Sequence, residues 1–172
     1  MMHFAATAVL LAFAADLAQG TVQYHQLIKC SQNYSAEVMG VVTRDAIIGS
    51  QMTAKIKLRV YDTILKELKL RVTLFTPEGT VVPCIEHFGS CVYDVCEDVP
   101  DDKKTMWTTK CPVKPGTYWR NLIFRVSPKL LKHIGSGHLI AALMLESKGK
   151  KLSCQALHLR VYKTRPTTDI WD

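Results

Sequence analysis

The segment CIEHFGSCVYDVC, residues 84–96, places three of the six cysteines of this 172-residue chain within thirteen positions. Two short intervals, from Cys84 to Cys91 and from Cys91 to Cys96, surround a Phe-Gly-Ser turn. A zinc site is one interpretation of such a cluster, but the chain lacks the CxxC or HxxxH spacing that zinc sites use. In an oxidising compartment an even number of cysteines predicts disulfides instead, here three, for which sequence alone allows 15 pairings.

Secretion is predicted by residues 1–20, MMHFAATAVLLAFAADLAQG. Their apolar run of about a dozen residues is shorter than the ~20 residues that cross a bilayer. Ala18 and Gly20 stand at the minus-three and minus-one positions of a signal-peptide cleavage site. We therefore expect a signal peptide over residues 1–20 and one domain over residues 21–172, with an uncleaved N-terminal helix as the alternative. In a secreted chain the sequon at Asn33 predicts an N-glycan, unless this short motif is unused.

Composition and charge indicate a folded, basic protein. Hydrophobic residues make up 48% of the chain, which is enough to fill a core and argues against disorder. The formal net charge of +7 favours anionic partners. Because no nucleic-acid motif accompanies the basic residues, we expect a transient contact with an anionic membrane surface and no nucleic-acid partner. The alternative is that the charge only keeps the protein soluble.

Alternation of apolar and polar residues is the dominant secondary-structure pattern. In AKIKLRV, residues 54–60, three apolar residues alternate with two lysines and an arginine. Residues 68–75 and 155–162 repeat this pattern, which is typical of antiparallel strands with one buried face. Residues 137–146, GHLIAALMLE, are apolar on both faces, and the glycine turns on either side predict a strand. Seven or eight short strands without a long helix predict an all-β sandwich of two sheets.

The sequence contains no arrangement of residues that predicts catalysis. No GxSxG nucleophile motif is present. Ser136 and His138 are too close together in a turn to face each other productively. The acidic run over residues 97–102 lacks the spacing of a calcium loop, and paired cysteines leave no thiolate nucleophile. We therefore predict a protein that is not an enzyme and that uses no metal and no cofactor.

Five motifs follow one another along the chain in a distinctive order: Val82-Pro83-Cys84, Gly89-Ser90-Cys91-Val92-Tyr93, Cys96, Cys111-Pro112-Val113-Lys114-Pro115-Gly116-Thr117-Tyr118 and Gly149-Lys150-Lys151-Leu152-Ser153-Cys154. Their order and the cysteine spacing resemble the ML (lipid-recognition) domain family, and within it the ganglioside activator-like proteins. The resemblance extends from Cys30 to about Tyr162, nearly the whole of the expected domain.

The resemblance implies an immunoglobulin-like β-sandwich whose two antiparallel sheets enclose an apolar lipid cavity. It implies three disulfide pairings: Cys30–Cys154, Cys84–Cys91 and Cys96–Cys111. It further implies a secreted or lysosomal protein that binds and transfers a glycosphingolipid, phospholipid or fatty acid, with a lysosomal glycosidase as a further candidate partner. The 14 residues between Cys96 and Cys111 lack the additional cysteine pair of vertebrate activators. The resemblance therefore implies lipid binding but does not imply a particular lipid.

Two sets of residues are expected to form the site. Inward-facing strand residues are the expected cavity lining: Ile56, Leu58, Val60, Leu70, Val72, Leu74, Phe124, Val126, Leu139, Leu143, Leu157 and Leu159. Loop residues are the expected rim or membrane contact: Phe88, Trp107, Trp119, Leu130, Leu131 and Ile134. The simpler interpretations are a closed core for the first set and a cluster packed under a loop for the second.

Two other functions stay open at the level of sequence. One is an immunoglobulin-like interaction module that has a solid core and binds through its loops. The other is a secreted lipid hydrolase, for which His87, Ser136 and His138 would be the candidate catalytic residues.

Overall fold

The computed structural model describes residues 21–30, 34–97 and 109–166, and it confirms the predicted all-β class. Three of the strands in these residues have only two residues each, and the other eight agree with the predicted seven or eight. One 3-10 helix, Pro128–Lys132, accompanies them. The strands are β1 (Val22–His25), β2 (Ile28–Lys29), β3 (Ala36–Arg44), β4 (Gln51–Val60), β5 (Leu68–Phe75), β6 (Val81–Val82), β7 (Val92–Glu97), β8 (Thr109–Lys110), β9 (Gly116–Arg125), β10 (His138–Ser147) and β11 (Lys150–Arg160).

The strands form two sheets that share one hydrophobic core. The four-stranded sheet has the order β1-β3-β4-β9 and is antiparallel throughout. The seven-stranded sheet has the order β2-β11-β10-β5-β7-β8, with β6 beside β5, and only its β7–β8 pair is parallel. The predicted sandwich of two antiparallel sheets is therefore confirmed.

Alternate residues of the long strands face the core, because successive side chains of a strand point to opposite sides of the sheet. In β4, every second residue from Met52 to Val60 is buried, and the lysines and arginine between them face outward. The apolar segment predicted as a strand is β10, which pairs with β5 and β11. Its leucines at 139, 143 and 145 are buried, whereas Ile140 is 36% exposed.

The two sheets form a wedge. Their backbones come within 8 Å of each other where β3 faces β10 and β11, and where β1 faces β11. Among the described strands, β4 and β9 make no comparable approach to β5 and β7. The sandwich is therefore narrow on one side and wide on the side bounded by β9 and β7.

Three disulfides join the cysteines in the pairing that the family resemblance implies: Cys30–Cys154, Cys84–Cys91 and Cys96–Cys111. The first connects the residue after β2 to β11 and spans 124 positions of sequence. The second closes the loop between β6 and β7, and the third ties β7 to the turn before β9. Two of the three disulfides therefore hold the segments that flank β7, at the wide side of the wedge.

The described residues contain no helix that is long and apolar enough to span a bilayer.

Candidate functional site

An apolar cavity of about 60 Å³ lies between the two sheets. Both sheets and the loop between β6 and β7 contribute to its wall. Apart from Thr43 and Tyr93, every lining side chain is apolar. The lining residues are Val41, Thr43, Met52, Ala54, Ile56, Val72, Leu74, Phe88, Tyr93, Leu122, Phe124, Ala141, Leu143, Leu157 and Leu159.

The two polar side chains of the wall are hydrogen-bonded within the protein. The Tyr93 hydroxyl donates to the His87 carbonyl oxygen at 2.8 Å, and burial raises the pKa of this phenol far above its usual value. The Thr43 hydroxyl lies 2.8 Å from Nε2 of His25. Because each hydroxyl already has a partner, the wall presents an essentially apolar surface to anything inside it.

Phe88 closes one part of the wall from the loop between β6 and β7. Its side chain is only 4% exposed, and its ring meets that of Phe124 edge to face with 6.0 Å between centroids. The Cys84–Cys91 disulfide closes this loop around Phe88. Gly89 has a φ of +116°, and a Cβ atom there would lie 2.0 Å from the Pro83 carbonyl oxygen. The loop conformation that places Phe88 therefore depends on a glycine at position 89.

A smaller void of about 10 Å³ extends the apolar interior toward the wide side of the wedge. It shares Ile56, Tyr93 and Leu122 with the main cavity and reaches Asp94 on β7 and Arg120 on β9. Both of these charged side chains are half-buried. The interior therefore approaches the surface between the β7 and β9 edges, where charged groups replace apolar ones.

Comparison with known proteins places the fold. No family model and no curated protein matches the sequence. Among solved structures, the chain is similar to a Niemann-Pick type C2 protein from the Japanese carpenter ant, with a TM-score of 0.54 and 13% sequence identity. The similarity covers 78% of this chain and 98% of that chain. The chain has an ML-like fold.

At this level of identity the likeness shows the fold alone, and within the ML-like fold it singles out no particular member. A second structure, described as a "putative beta-galactosidase from bacteroides fragilis", aligns with a TM-score of 0.35 and 16% identity. The alignment covers 80% of this chain and 16% of that chain. A score this low carries no argument about the fold or the function.

Within the ML-like fold, the residues expected to line the cavity separate into three groups. Seven of them line the main cavity: Ile56, Val72, Leu74, Phe124, Leu143, Leu157 and Leu159. Leu58 and Leu70 line the smaller void. Leu139 is buried beside a surface groove, and Val60 and Val126 are buried core residues that line none of these spaces.

Sequence reasoning did not include several residues that line the main cavity. Met52 and Ala54 share the inward face of β4 with Ile56, and Leu122 shares that of β9 with Phe124, so extending the alternation would have found them. Thr43 is buried despite its hydroxyl, and no pattern in the sequence indicates its contact with His25. Tyr93 follows the second cysteine of the 84–91 loop and reaches the cavity because β7 pairs with β5.

The rim prediction is wrong for Leu130 and Ile134. Both side chains are 0% exposed: Leu130 lies on the 3-10 helix and Ile134 in the turn that follows it, and both pack in the core. Phe88 is also buried and belongs to the cavity wall. Leu131 and Trp119 are 46% and 51% exposed, with Trp119 on the outer face of the four-stranded sheet. Trp107 and the sequon residue Asn33 lie outside the described residues.

The candidate hydrolase residues do not form a catalytic group in the described part of the chain. The Ser136 hydroxyl accepts a hydrogen bond from the backbone N–H of His138 at 3.4 Å, as expected in a turn. His138 lies beside His158 and Arg160 in a surface groove, whereas His87 uses its carbonyl oxygen to hold Tyr93. The described residues also contain no cluster of three or more His, Cys, Asp or Glu that could hold a metal ion.

Proposed function

We propose that this protein is a non-enzymatic lipid carrier that takes the apolar tail of a lipid between its two sheets. One observation carries the proposal: between the two sheets lies an interior cavity whose wall is apolar and whose two hydroxyls are already hydrogen-bonded. A hydrocarbon chain needs no hydrogen-bonding partner, and each methylene taken out of water contributes about 0.8 kcal/mol. The ML-like fold supports the same proposal.

Binding requires the cavity to grow. Its volume of about 60 Å³ is small beside the roughly 300–1,000 Å³ of pockets that hold small-molecule ligands. We expect this growth at the side bounded by β9 and β7, where the backbones of the two sheets are further apart. The Cys84–Cys91 and Cys96–Cys111 disulfides lie beside this side and keep its loops in place as the sheets open.

The expected cargo is a glycosphingolipid, phospholipid or fatty acid, all of which have acyl or sphingoid chains that suit an apolar cavity. The headgroup would lie near Asp94 and Arg120, where the interior reaches the surface. The protein would act in a secretory or lysosomal compartment, contact an anionic membrane transiently and, as ganglioside activators do, present its lipid to a glycosidase. Three disulfides support an oxidising compartment of this kind.

Lipid binding is tested with cis-parinaric acid, a fatty acid whose fluorescence rises in an apolar environment. We expect saturable binding near one molecule per protein. Ala141→Leu adds bulk to the cavity wall and should weaken binding about tenfold, the effect of ~1.4 kcal/mol. Ala142→Leu is the matched control, because the neighbouring residue on β10 points to the opposite face of the sheet.

The two alternatives predict different results. A solid-core interaction module would bind no parinaric acid, or would lose binding equally with both alanine substitutions. A hydrolase would consume a lipid ester, and Ser136→Ala or His138→Ala would abolish that turnover. Native mass spectrometry of the purified protein provides a second readout, in which a carrier retains lipid of defined mass.

A further inference from the structure

The outer face of the four-stranded sheet is strongly basic. The strands β1, β3, β4 and β9 contain a single carboxylate, that of Glu37. This carboxylate is buried, forms an ion pair with Lys29 at 3.2 Å and accepts a hydrogen bond from the Tyr61 hydroxyl. Because its charge is already paired, it does not offset the basic residues of the sheet.

The outward positions of β3, β4 and β9 bring five cations onto one face. Lys55, Lys57 and Arg59 alternate with buried residues of β4. Strand register places Arg125 opposite Gln51 and Arg44 opposite Thr53, which are also outward positions of β4. We define the basic sheet face as Arg44, Lys55, Lys57, Arg59 and Arg125 together with Trp119.

Trp119 lies among these cations. It is the register partner of Lys57, and its side chain is 51% exposed. The Nζ atoms of Lys55 and Lys57 lie 4.7 and 5.4 Å from the ring centroid, within the range of cation–π attraction. These contacts bring two ammonium groups and one exposed aromatic ring together on the outer face of the sheet.

In the seven-stranded sheet, two basic residues of β5 are in ion pairs. There, Lys69 pairs with Asp94 at 3.6 Å and Arg71 pairs with Glu146 at 2.8 Å. Among the described residues, none of the five cations of the basic sheet face is in an ion pair; Arg59 donates a hydrogen bond to Thr117 and stacks near Tyr61. Within the described ranges, the basic residues of β5 are therefore paired with carboxylates, whereas the five cations of the basic sheet face are not.

The geometry of this face fits an extended anionic polymer. Alternate residues of one strand are about 6.6 Å apart and neighbouring strands about 4.8 Å apart, so the cations form a flat, regular array. A membrane is a poorer fit because of its position. Val22, Tyr24 and Ile123 are exposed on the same face and would suit a bilayer surface, but a membrane bound there would lie on the side of the sheet that faces away from the cavity.

We propose that the basic sheet face binds a sulfated polysaccharide chain, with sulfate groups on Lys55, Lys57 and the neighbouring arginines and a sugar ring against Trp119. Disulfide-bonded proteins occur in oxidising, extracytosolic compartments, and sulfated polysaccharides are among the polyanions found there. Single-stranded nucleic acid would stack its bases on exposed rings, here Trp119 and Tyr24, but it is rare in the compartments where disulfide-bonded proteins occur.

Heparin is the probe, and binding is measured by calorimetry or affinity chromatography at several salt concentrations. We expect the double variant Lys55→Gln/Lys57→Gln to bind about tenfold more weakly at 0.15 M salt, with a salt slope smaller by about two. Trp119→Ala should weaken binding severalfold and leave the salt slope nearly unchanged, because it removes stacking and no charge. The charge-matched control is Lys150→Gln/Lys151→Gln at the start of β11, whose exposed lysines lie on the other sheet; we expect a change below threefold.

Several results would overturn the proposal. These are no heparin binding at 0.15 M salt, equal losses in the two double variants, or stronger binding to a poly-dT oligonucleotide than to heparin. If Lys55→Gln/Lys57→Gln lost binding to phosphatidylserine vesicles but kept its binding to heparin, the face would be assigned to membranes instead. Parinaric acid binding should persist in Lys55→Gln/Lys57→Gln, because these residues face away from the cavity; this proposal and the lipid proposal therefore fail independently.

Discussion

His25 on β1 contacts both sheets through its side chain, beside the cavity-lining residue Thr43. Its Nδ1 lies 2.7 Å from the carbonyl oxygen of His158 on β11, and its Nε2 lies 2.8 Å from the hydroxyl of Thr43 on β3. Since a carbonyl oxygen only accepts, Nδ1 carries the proton, and in the neutral ring Nε2 accepts from Thr43. Desolvation by burial lowers the pKa of His25 below its ordinary 6.5 and outweighs the opposing effect of the His158 carbonyl.

This lowered pKa predicts a pH dependence of stability. Between the folded and unfolded pKa values the unfolded chain binds the proton and the folded chain does not, so acid favours unfolding. The stability that neutral His25 contributes should be complete above about pH 6.5 and should decline as the pH falls toward its folded pKa. Urea unfolding of wild type and His25→Gln at about pH 8 and about pH 5 measures this contribution to the free energy of unfolding. The difference between the two proteins should shrink in acid, and a constant or growing difference would contradict this account.

At the scale of elements, the loop between β6 and β7 acts as a fixed part of the cavity wall. The Cys84–Cys91 disulfide holds its ends, the Tyr93 hydroxyl holds the His87 carbonyl oxygen, and Phe88 packs on Phe124. Gly89 allows the backbone to pass within van der Waals contact of Pro83. A loop held at so many points can keep its place while the sheets on either side of it separate.

Gly89→Ala should destabilise the protein by more than the cost of placing an alanine at positive φ. An alanine at positive φ costs about 1–2 kcal/mol, and at position 89 its Cβ would also collide with the Pro83 carbonyl oxygen. Gly79→Ala is the control, because Gly79 also has positive φ, at +84°, but has no atom near its Cβ position. The free energy of unfolding in urea should fall at least twice as far for Gly89→Ala. Equal losses would show that the contact with Pro83 is relieved at no cost.

At the scale of the whole molecule, a wedge that can open must keep its sheets from coming apart completely. Cys30–Cys154 ties the N-terminal part of the described chain to β11 near the narrow side, where β1 and β3 approach β11. An incompletely filled interior loses packing contacts that a dense core would make. The long covalent loop offsets this loss by restricting the unfolded chain.

Removing the Cys30–Cys154 disulfide should therefore cost more than removing Cys84–Cys91. Loop entropy predicts a loss of roughly 5 kcal/mol for the first and roughly 2.5 kcal/mol for the second, since they span 124 and 7 positions of sequence. The double variants Cys30→Ala/Cys154→Ala and Cys84→Ala/Cys91→Ala, compared by urea unfolding, measure both values. If the short loop proves the more stabilising, its native contacts rather than chain entropy carry the effect.

The amino-acid pattern was enough to predict the main strands, their buried faces and the β-sandwich class, because alternation of side chains is a local property of each strand. It also predicted seven of the residues that line the cavity, such as Ile56 and Leu143. Combined with the family resemblance, the cysteine order indicated the three disulfides. Each of these features depends on residue types within a short span, or on the order of a few motifs.

The three-dimensional structure was needed to establish how far apart the sheets lie, which core residues line a cavity and which loop residues are exposed. Leu130 and Ile134 have the same apolar character as exposed Leu131, and only packing against the sandwich shows that they are buried. The basic sheet face likewise joins Lys57 to Trp119, 62 positions apart in sequence, through the β4–β9 register. These features arise from long-range pairing between strands, and a pattern confined to one strand carries no information about its distant neighbours.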